Sequence, residues 1–468
     1  MNMRPTRRQR IRFLLTFLSG VITAGAVSGL AANVSNSAAS RYDDLSLFTS
    51  VLTLVRGNYV EPIDDAELIR GAVRGLLHEL DPHSSFLDVD AFREMQVDTK
   101  GEFHGLGIEI TKHRDGFIEV ISPIEGTPAD RAGIMAHDRI VKICPTEVPE
   151  DWEEDCRSTK NMTLFEAVRL MRGKRGTEIT IEIFRQDFTE PQPFTVVRDV
   201  VKVVSVSGRL LEPGYGYVRV RAFQERSIEE LDEALAKIGA EAGAPLDGLV
   251  LDLRDNPGGL LDQAVRISDR WLSSGLIVYT KGRSENQGQE FNAHATGIEP
   301  DYPITVLVNG GSASASEIVA GALQDQRRAL IVGQPTFGKG SVQTVFPLEG
   351  DHGLRLTTAL YYTPEGRSIQ EVGIAPDILV ESQKQVDRTE ARRRVRESDL
   401  EGHFKQSDAV PDENAAPLDD ADETPDEEVV DLQLARALEV LKSWNYFDHL
   451  KENRPVTPLQ AKAPEPAP

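Results

Sequence analysis

Three short stretches, "LDGLVLDLRDN", "ITVLVNGG" and "ALIVG", constrain the fold more than anything else in the chain. All three read as strands, and the run before Arg254 in the first is apolar on successive residues, without the alternation of a half-exposed strand. A strand apolar on successive residues is covered on both faces, the situation of a parallel sheet. The segments around them, "GGLLDQAVRISDRWL" and "SASEIVAGALQDQ", repeat apolar residues at helical spacing. Strand–helix alternation of this kind specifies an α/β core with a mainly parallel sheet and crossover helices. Further strands are expected at "GYGYVRVRAF", "SGLIVYTKG", "SVQTVFPL", "LRLTTALYYT" and "DILV", so the core occupies 189–383.

The texture upstream is different. Residues 97–188 read as short alternating strands, "GLGIEITK", "GFIEVISPI", "DRIVKI" and "EITIEIFR", with one helix at "LFEAVRLMRG". This is a small β-rich domain whose glycine-bracketed loop, "FHGLGIEI", opens directly into a strand. Residues 41–96 are a helical region, with Asp64 and Asp65 in N-cap style and His83 as a structural residue of the turn "LDPHSSFLD". Residues 1–40 hold a charge-free apolar run, 13–32, behind Arg4, Arg7, Arg8, Arg10 and Arg12. That pattern is an export signal or an uncleaved anchor, with the basic end cytoplasmic. The chain is therefore expected to be periplasmic or otherwise extracytoplasmic, in contact with the inner membrane if the segment is retained.

The net charge of −23 over 468 residues excludes a nucleic-acid partner, which needs clustered Lys and Arg. Much of the excess lies in 384–430, an acidic linker too poor in apolar residues to form a core. A further helix, "DLQLARALEVLKSW", and a Pro-rich tail occupy 431–468, and no role is assigned to them. Cys144 and Cys156 are the two cysteines; in an oxidising compartment they close one local loop. With no His at ligand spacing they do not make a zinc site, and no metal or cofactor is called for.

"GQPTFGKG" satisfies a phosphate-binding loop up to Lys339, but Gly340 stands where a magnesium-binding hydroxyl is needed. The strand pattern of "SVQTVFPL" follows in place of a helix, so the nucleotide reading fails. Lys339 makes better sense beside "VNGGSASASEIVAGA". There a strand ends at Asn309, glycines turn the chain, and a helix starts among Ser312, Ser314 and Ser316. A serine at that point has helix amides for a developing oxyanion, and a buried neutral lysine can serve as its base. Neither His294 nor His352 is a convincing partner, and spacing alone does not choose among the three serines. Gln343 follows four residues after the lysine; with a bulge between them it can aim the amine.

At "EGTPADRAGIMAHDRIVKI" and "FHGLGIEI" the small domain resembles a PDZ domain, with Leu106, Gly107 and Ile108 as its carboxylate-binding loop. With "LDPHSSFLD", "LMRGKRGT", "LDLRDNPGG", "VNGGSASASEI", "TFGKGSVQ", "YYTPEGRSIQ" and "GIAPDI", the stretch 45–383 resembles the carboxyl-terminal processing peptidases, tail-specific serine proteases. The resemblance implies Ser314 as nucleophile, Lys339 as general base, Gln343 as its orienter, and an oxyanion site from the Ala315 amide and the Gly258–Gly259 pair. It implies substrates with a free C-terminus bound by the PDZ domain. An adaptor or lipoprotein activator is expected as a partner. The apolar N-terminal helices suggest a homo-oligomer. Arg172 either couples the PDZ domain to the protease by an ion pair or is a solvated end-of-helix charge. The alternative function is an inactive PDZ scaffold that only binds peptides.

Overall fold

A computed structural model describes residues 43–451 apart from 147, 149–151, 153, 285–286, 382–394 and 406–430. The apolar segment 13–32, the Pro-rich end from 452 and, of the expected acidic linker, 384–394 and 406–430 lie outside the described residues. Residues 395–405 are described and, contrary to the linker expectation, pack on the core, with a 3-10 turn at Glu397–Asp399 and Glu397 buried. Among the described residues, no helix is long and apolar enough to cross a membrane.

The chain divides into an N-terminal unit that ends at Leu76 and a body that begins at Leu77. In the first, residues 43–58 form one helix, and Asp64 caps the next by accepting from the Ala66 N–H at 2.9 Å. Arg56 pairs with Asp65 across the turn, and Leu45, Leu47, Val51 and Leu54 are exposed.

The body starts with the turn at Asp81 and the helix Val89–Lys100, then enters the β-rich domain. Its antiparallel sheet runs in the order Ile108–Lys112, Ile118–Pro123, Arg139–Pro145, Glu178–Phe184, Gln192–Val197. The alternation in "EITIEIF" does what period two requires: Ile179, Ile181 and Ile183 all face the core. Strand Gln192–Val197 belongs to this sheet, so the domain extends past residue 188, the boundary expected from composition. Ile108–Lys112 is the sheet's outer strand, and the helix Leu164–Met171 packs near it. Cys144 and Cys156 are disulfide-bonded.

The α/β core contains two sheets where the sequence suggests one. The first runs Val206–Glu212, Tyr215–Val220, Gly248–Asp252, Ile304–Val308, Ala329–Gly333, Ile378–Leu379, parallel except for the opening hairpin. Every residue of Gly248–Asp252 and Ile304–Val308 is buried, as their continuous apolar character demands. The second sheet is antiparallel and gathers Leu276–Gly282, Gln289–Asn292, Ser341–Leu348, His352–Tyr362 and the early strand Ser85–Leu87. Strands of both kinds are apolar, and pairing partners far apart in sequence leave no local trace.

Helices Ser227–Ala242, Leu261–Asp269 and Ala315–Asp325 cover one face of the parallel sheet. The terminal helix Leu432–Lys451, unassigned from sequence, contributes to the other: Ala437 and Leu441 pack on Val250, Leu307 and Val332. Arg254, just past the strand Gly248–Asp252, binds both Asp252 and Asp431 and so ties that helix to the turn beginning the NPGG segment.

Candidate active site

Strand Ile304–Val308 ends in a turn that the buried Ser312 secures: the Asn309 N–H donates to Ser312 Oγ, which itself donates to the Leu253 carbonyl at 2.8 Å. The Ser316 hydroxyl donates to the Asn256 carbonyl at 2.9 Å and is wholly buried. Both are spent on holding neighbouring turns. Ser314 alone of the three lines an open cleft of roughly 740 Å³, together with Gly259, Ala315, Phe291, Gln343 and Tyr361. It is the N-cap of the helix and adopts φ 57°, ψ −114°. A non-glycine residue held there is strained, and such strain collects at reactive turns.

The carboxylate that imposes this geometry is Glu317, a residue the sequence reading passed over. It is wholly buried, and its Oε1 accepts from the Thr336 hydroxyl and the Gly338 N–H. Its Oε2 accepts from the Ser314 N–H at 2.8 Å and the Lys339 N–H at 2.9 Å. One oxygen atom thus joins the main chain of the two residues expected to do the chemistry. Loss of solvent pushes the Glu317 carboxyl up to about 7, against the pull of its hydrogen bonds. An S-x-x-E spacing, a capping-box signature, was the available signal.

Lys339 sits in an irregular loop pinned from several sides. The Phe337 N–H donates to Ser312, the Tyr361 N–H to Gly340, and the Gly340 N–H to the Gln370 side chain. A Cβ on Gly340 would fall 2.5 Å from the Gln370 nitrogen, so this glycine permits backbone contact. Burial, then the charge of Arg355, pushes the Lys339 amine below its usual value, while Glu397, Glu317 and Asp81 pull the other way. Among the described residues its Nζ makes no hydrogen bond or ion pair.

Ser314 Oγ accepts a hydrogen bond from Tyr361 Oη at 2.8 Å. Burial pushes the Tyr361 phenol far up, which keeps it a donor. The expected bulge is present between Val342 and Gln343. The Gln343 amide, however, donates to Ser341 Oγ at 2.9 Å and more weakly to Thr357 Oγ1, and not toward the lysine. Asp81, from "LDPHSS", accepts from Thr357 and holds that side of the arrangement.

The oxyanion expectation needs one correction. The Gly258 N–H is spent on Asn256 Oδ1 at 2.9 Å, because the asparagine folds back over its own turn. Gly258 serves by being small: a Cβ there would lie 2.7 Å from the Ser314 Cβ. The Gly259 and Ala315 amides donate to no group among the described residues, and both line the cleft.

Three family descriptions match the chain: the activating protease CtpB N-terminal domain over 22–91, the PDZ domain over 94–184, and peptidase family S41 over 214–380. A carboxy-terminal-processing protease of Bartonella bacilliformis is 45% identical over 84% of this chain and 88% of its own length. The chain belongs to the carboxy-terminal processing proteases of family S41. A second such protease, from Synechocystis, is 38% identical over 70% of this chain and 75% of its own. Among solved structures, the photosystem II D1 C-terminal processing protease is similar at 30% identity and a TM-score of 0.41, covering 71% of this chain and 86% of that one.

This processing protease is a serine-type peptidase, which sets aside the inactive-scaffold alternative. In its PDZ domain the Leu106 carbonyl accepts from Ala129, and the Gly107 carbonyl accepts from Ile124 and Thr127, fixing the loop before the outer strand. The Leu106 and Gly107 amides donate to nothing among the described residues, and one edge of Ile108–Lys112 is unpaired. Arg172 ends the domain's helix, pairs with Glu94 at 2.5 Å and covers the Phe103 ring at 4.8 Å. Its ion-pair partner thus lies in the helix Val89–Lys100 and not in the protease core, so the expected coupling to the protease is a contact with that helix instead.

Proposed function

We propose that this protease is an exported endopeptidase that takes the free C-terminal tails of its substrates on the PDZ domain and cleaves them with Ser314 and Lys339. Ser314 Oγ attacks the peptide carbonyl while the neutral Lys339 amine removes its proton. The oxyanion rests on the Gly259 and Ala315 amides. Lys339 then protonates the leaving amine, and water hydrolyses the acyl-enzyme. The observation that carries this reading is the shared Glu317 oxygen, which binds the Ser314 and Lys339 amides together. Catalysis requires the Lys339 side chain to turn until its amine reaches Ser314 Oγ, with Gln343 leaving Ser341 to orient it.

The unpaired edge of Ile108–Lys112 and the uncommitted loop amides support tail capture by strand addition. The Cys144–Cys156 disulfide and the apolar run after five arginines support a periplasmic or extracytoplasmic location with an N-terminal membrane contact. Exposed leucines on the N-terminal helices support a homo-oligomer, and an adaptor or lipoprotein is a suitable trigger for the lysine's movement. The test is cleavage of an unfolded substrate ending in a free apolar residue. Wild type is expected to turn over, and Ser314→Ala and Lys339→Ala to be inactive. Equal turnover in all three would eliminate the pair.

A further inference from the structure

Residues 395–405 lie beyond the S41 match, which ends at 380, yet they close around the loop that carries Lys339. The Glu397 N–H donates to the Phe337 carbonyl at 3.2 Å. The Arg396 guanidinium reaches the Val372 carbonyl at 2.9 Å, and His403 pairs with Glu371 at 2.5 Å. The Glu397 side chain is wholly buried. His83 Nε2 lies 2.8 Å from both of its oxygens, and Gln370 Nε2 donates to Oε1 at 2.9 Å. The same Gln370 accepts from the Gly340 N–H at 2.9 Å, directly beside Lys339. A continuous hydrogen-bonded chain therefore runs His83, Glu397, Gln370, Gly340.

We infer that Glu397 is a positioning residue of the protease site, brought in by this segment to hold the Lys339 loop through Gln370 and to set the charge around the amine. A buried carboxylate is costly unless paired, and Glu397 meets that cost with His83 and Gln370. Its charge also favours the protonated amine, so it works against burial. The charged groups facing Lys339 are Arg355 on strand His352–Tyr362, Glu317 on the nucleophile helix, Asp81 in the "LDPHSS" turn, and Glu397. Two of these four, Glu397 and Asp81, come from outside the S41 match. His83, expected from sequence to be a plain turn residue, is the donor that accompanies Glu397.

The inference rests on Lys339 being the base, and the experiment separates the two. Full-length wild type, Glu397→Gln, Glu397→Asp, Gln370→Ala and Lys339→Ala are compared by kcat/KM against pH. Removing the carboxylate charge lowers the pH at which Lys339 becomes neutral. Glu397→Gln therefore moves the acid limb to lower pH, by on the order of half a pH unit. Glu397→Asp keeps the charge and leaves the limb in place while kcat falls. Gln370→Ala cuts the link to Gly340 and lowers kcat about tenfold with KM unchanged. An active Lys339→Ala would refute the base assignment itself. With Lys339→Ala inactive, an unmoved limb in folded Glu397→Gln, or wild-type kcat in Gln370→Ala, overturns the positioning role alone. Loss of the fold in both Glu397→Gln and Gln370→Ala also overturns it, by assigning the chain of contacts to stability.

Discussion

Glu317→Gln tests the central geometric claim most directly. The carboxylate accepts four hydrogen bonds, two on each oxygen. A glutamine replaces one acceptor by an amide donor, so two of the four donors lose their partner and face another donor. With the carboxyl protonated these are neutral hydrogen bonds of about 0.5–1.5 kcal/mol each, so the loss at low pH is roughly 1–3 kcal/mol. Against it stands the burial of the charge. The rise of this carboxyl from 4.5 to about 7 corresponds to about 3 kcal/mol.

The sign follows from linkage. A carboxyl with a raised folded pKa holds its proton more tightly folded than unfolded, so its contribution is fully present below pH 4.5 and is lost as pH rises to about 7. Wild type therefore loses stability over that window from this group, and Glu317→Gln does not. The variant is destabilised most at low pH, by roughly 1–3 kcal/mol, and the gap narrows toward neutrality. Denaturant unfolding at a series of pH values reads it, with kcat expected to fall about a hundredfold because Ser314 and Lys339 are no longer held by one atom. A gap that is constant with pH would refute the account of Glu317 as a desolvated acceptor. Wild-type kcat would refute its hold on the site.

Three further outcomes are expected. Tyr361→Phe removes the donor on Ser314 Oγ and should lower kcat about tenfold while costing roughly 1 kcal/mol of stability, read by steady-state kinetics and unfolding. Gly258→Ala should abolish turnover in a folded protein, because a methyl cannot be placed 2.7 Å from the Ser314 Cβ without displacing the nucleophile; folding is checked by circular dichroism. Leu441→Ala removes a buried side chain between the terminal helix and the parallel sheet and should cost about 2–4 kcal/mol, with kcat retained at temperatures well below the new melting point.

Much of this protein was legible one segment at a time. The continuous apolar run before Arg254, and the alternation of strands with helices after it, announced a parallel sheet because both faces of such a strand had to be covered. The alternation in Glu178–Phe184 announced a half-buried antiparallel one. The departure of "GKGSVQ" from a phosphate loop was readable too, since a helix cannot start in a strand pattern. The family resemblance then singled out Ser314 from three serines that local spacing treats alike.

Tertiary structure decided what depends on groups distant in the chain. Ser312 and Ser316 are committed to carbonyls of Leu253 and Asn256, an outcome set by how adjacent strands end and invisible in either segment. Gly258 is needed for its lack of a side chain and Gly259 has the uncommitted amide, a division that Asn256 imposes by folding onto one of two equivalent-looking glycines. His83 and Glu397, 314 positions apart, meet beside Lys339, and the terminal helix supplies packing for the second face of the sheet. Local periodicity records which side of an element must be covered; it does not record by what, because burial is satisfied by any apolar or paired group that the fold delivers.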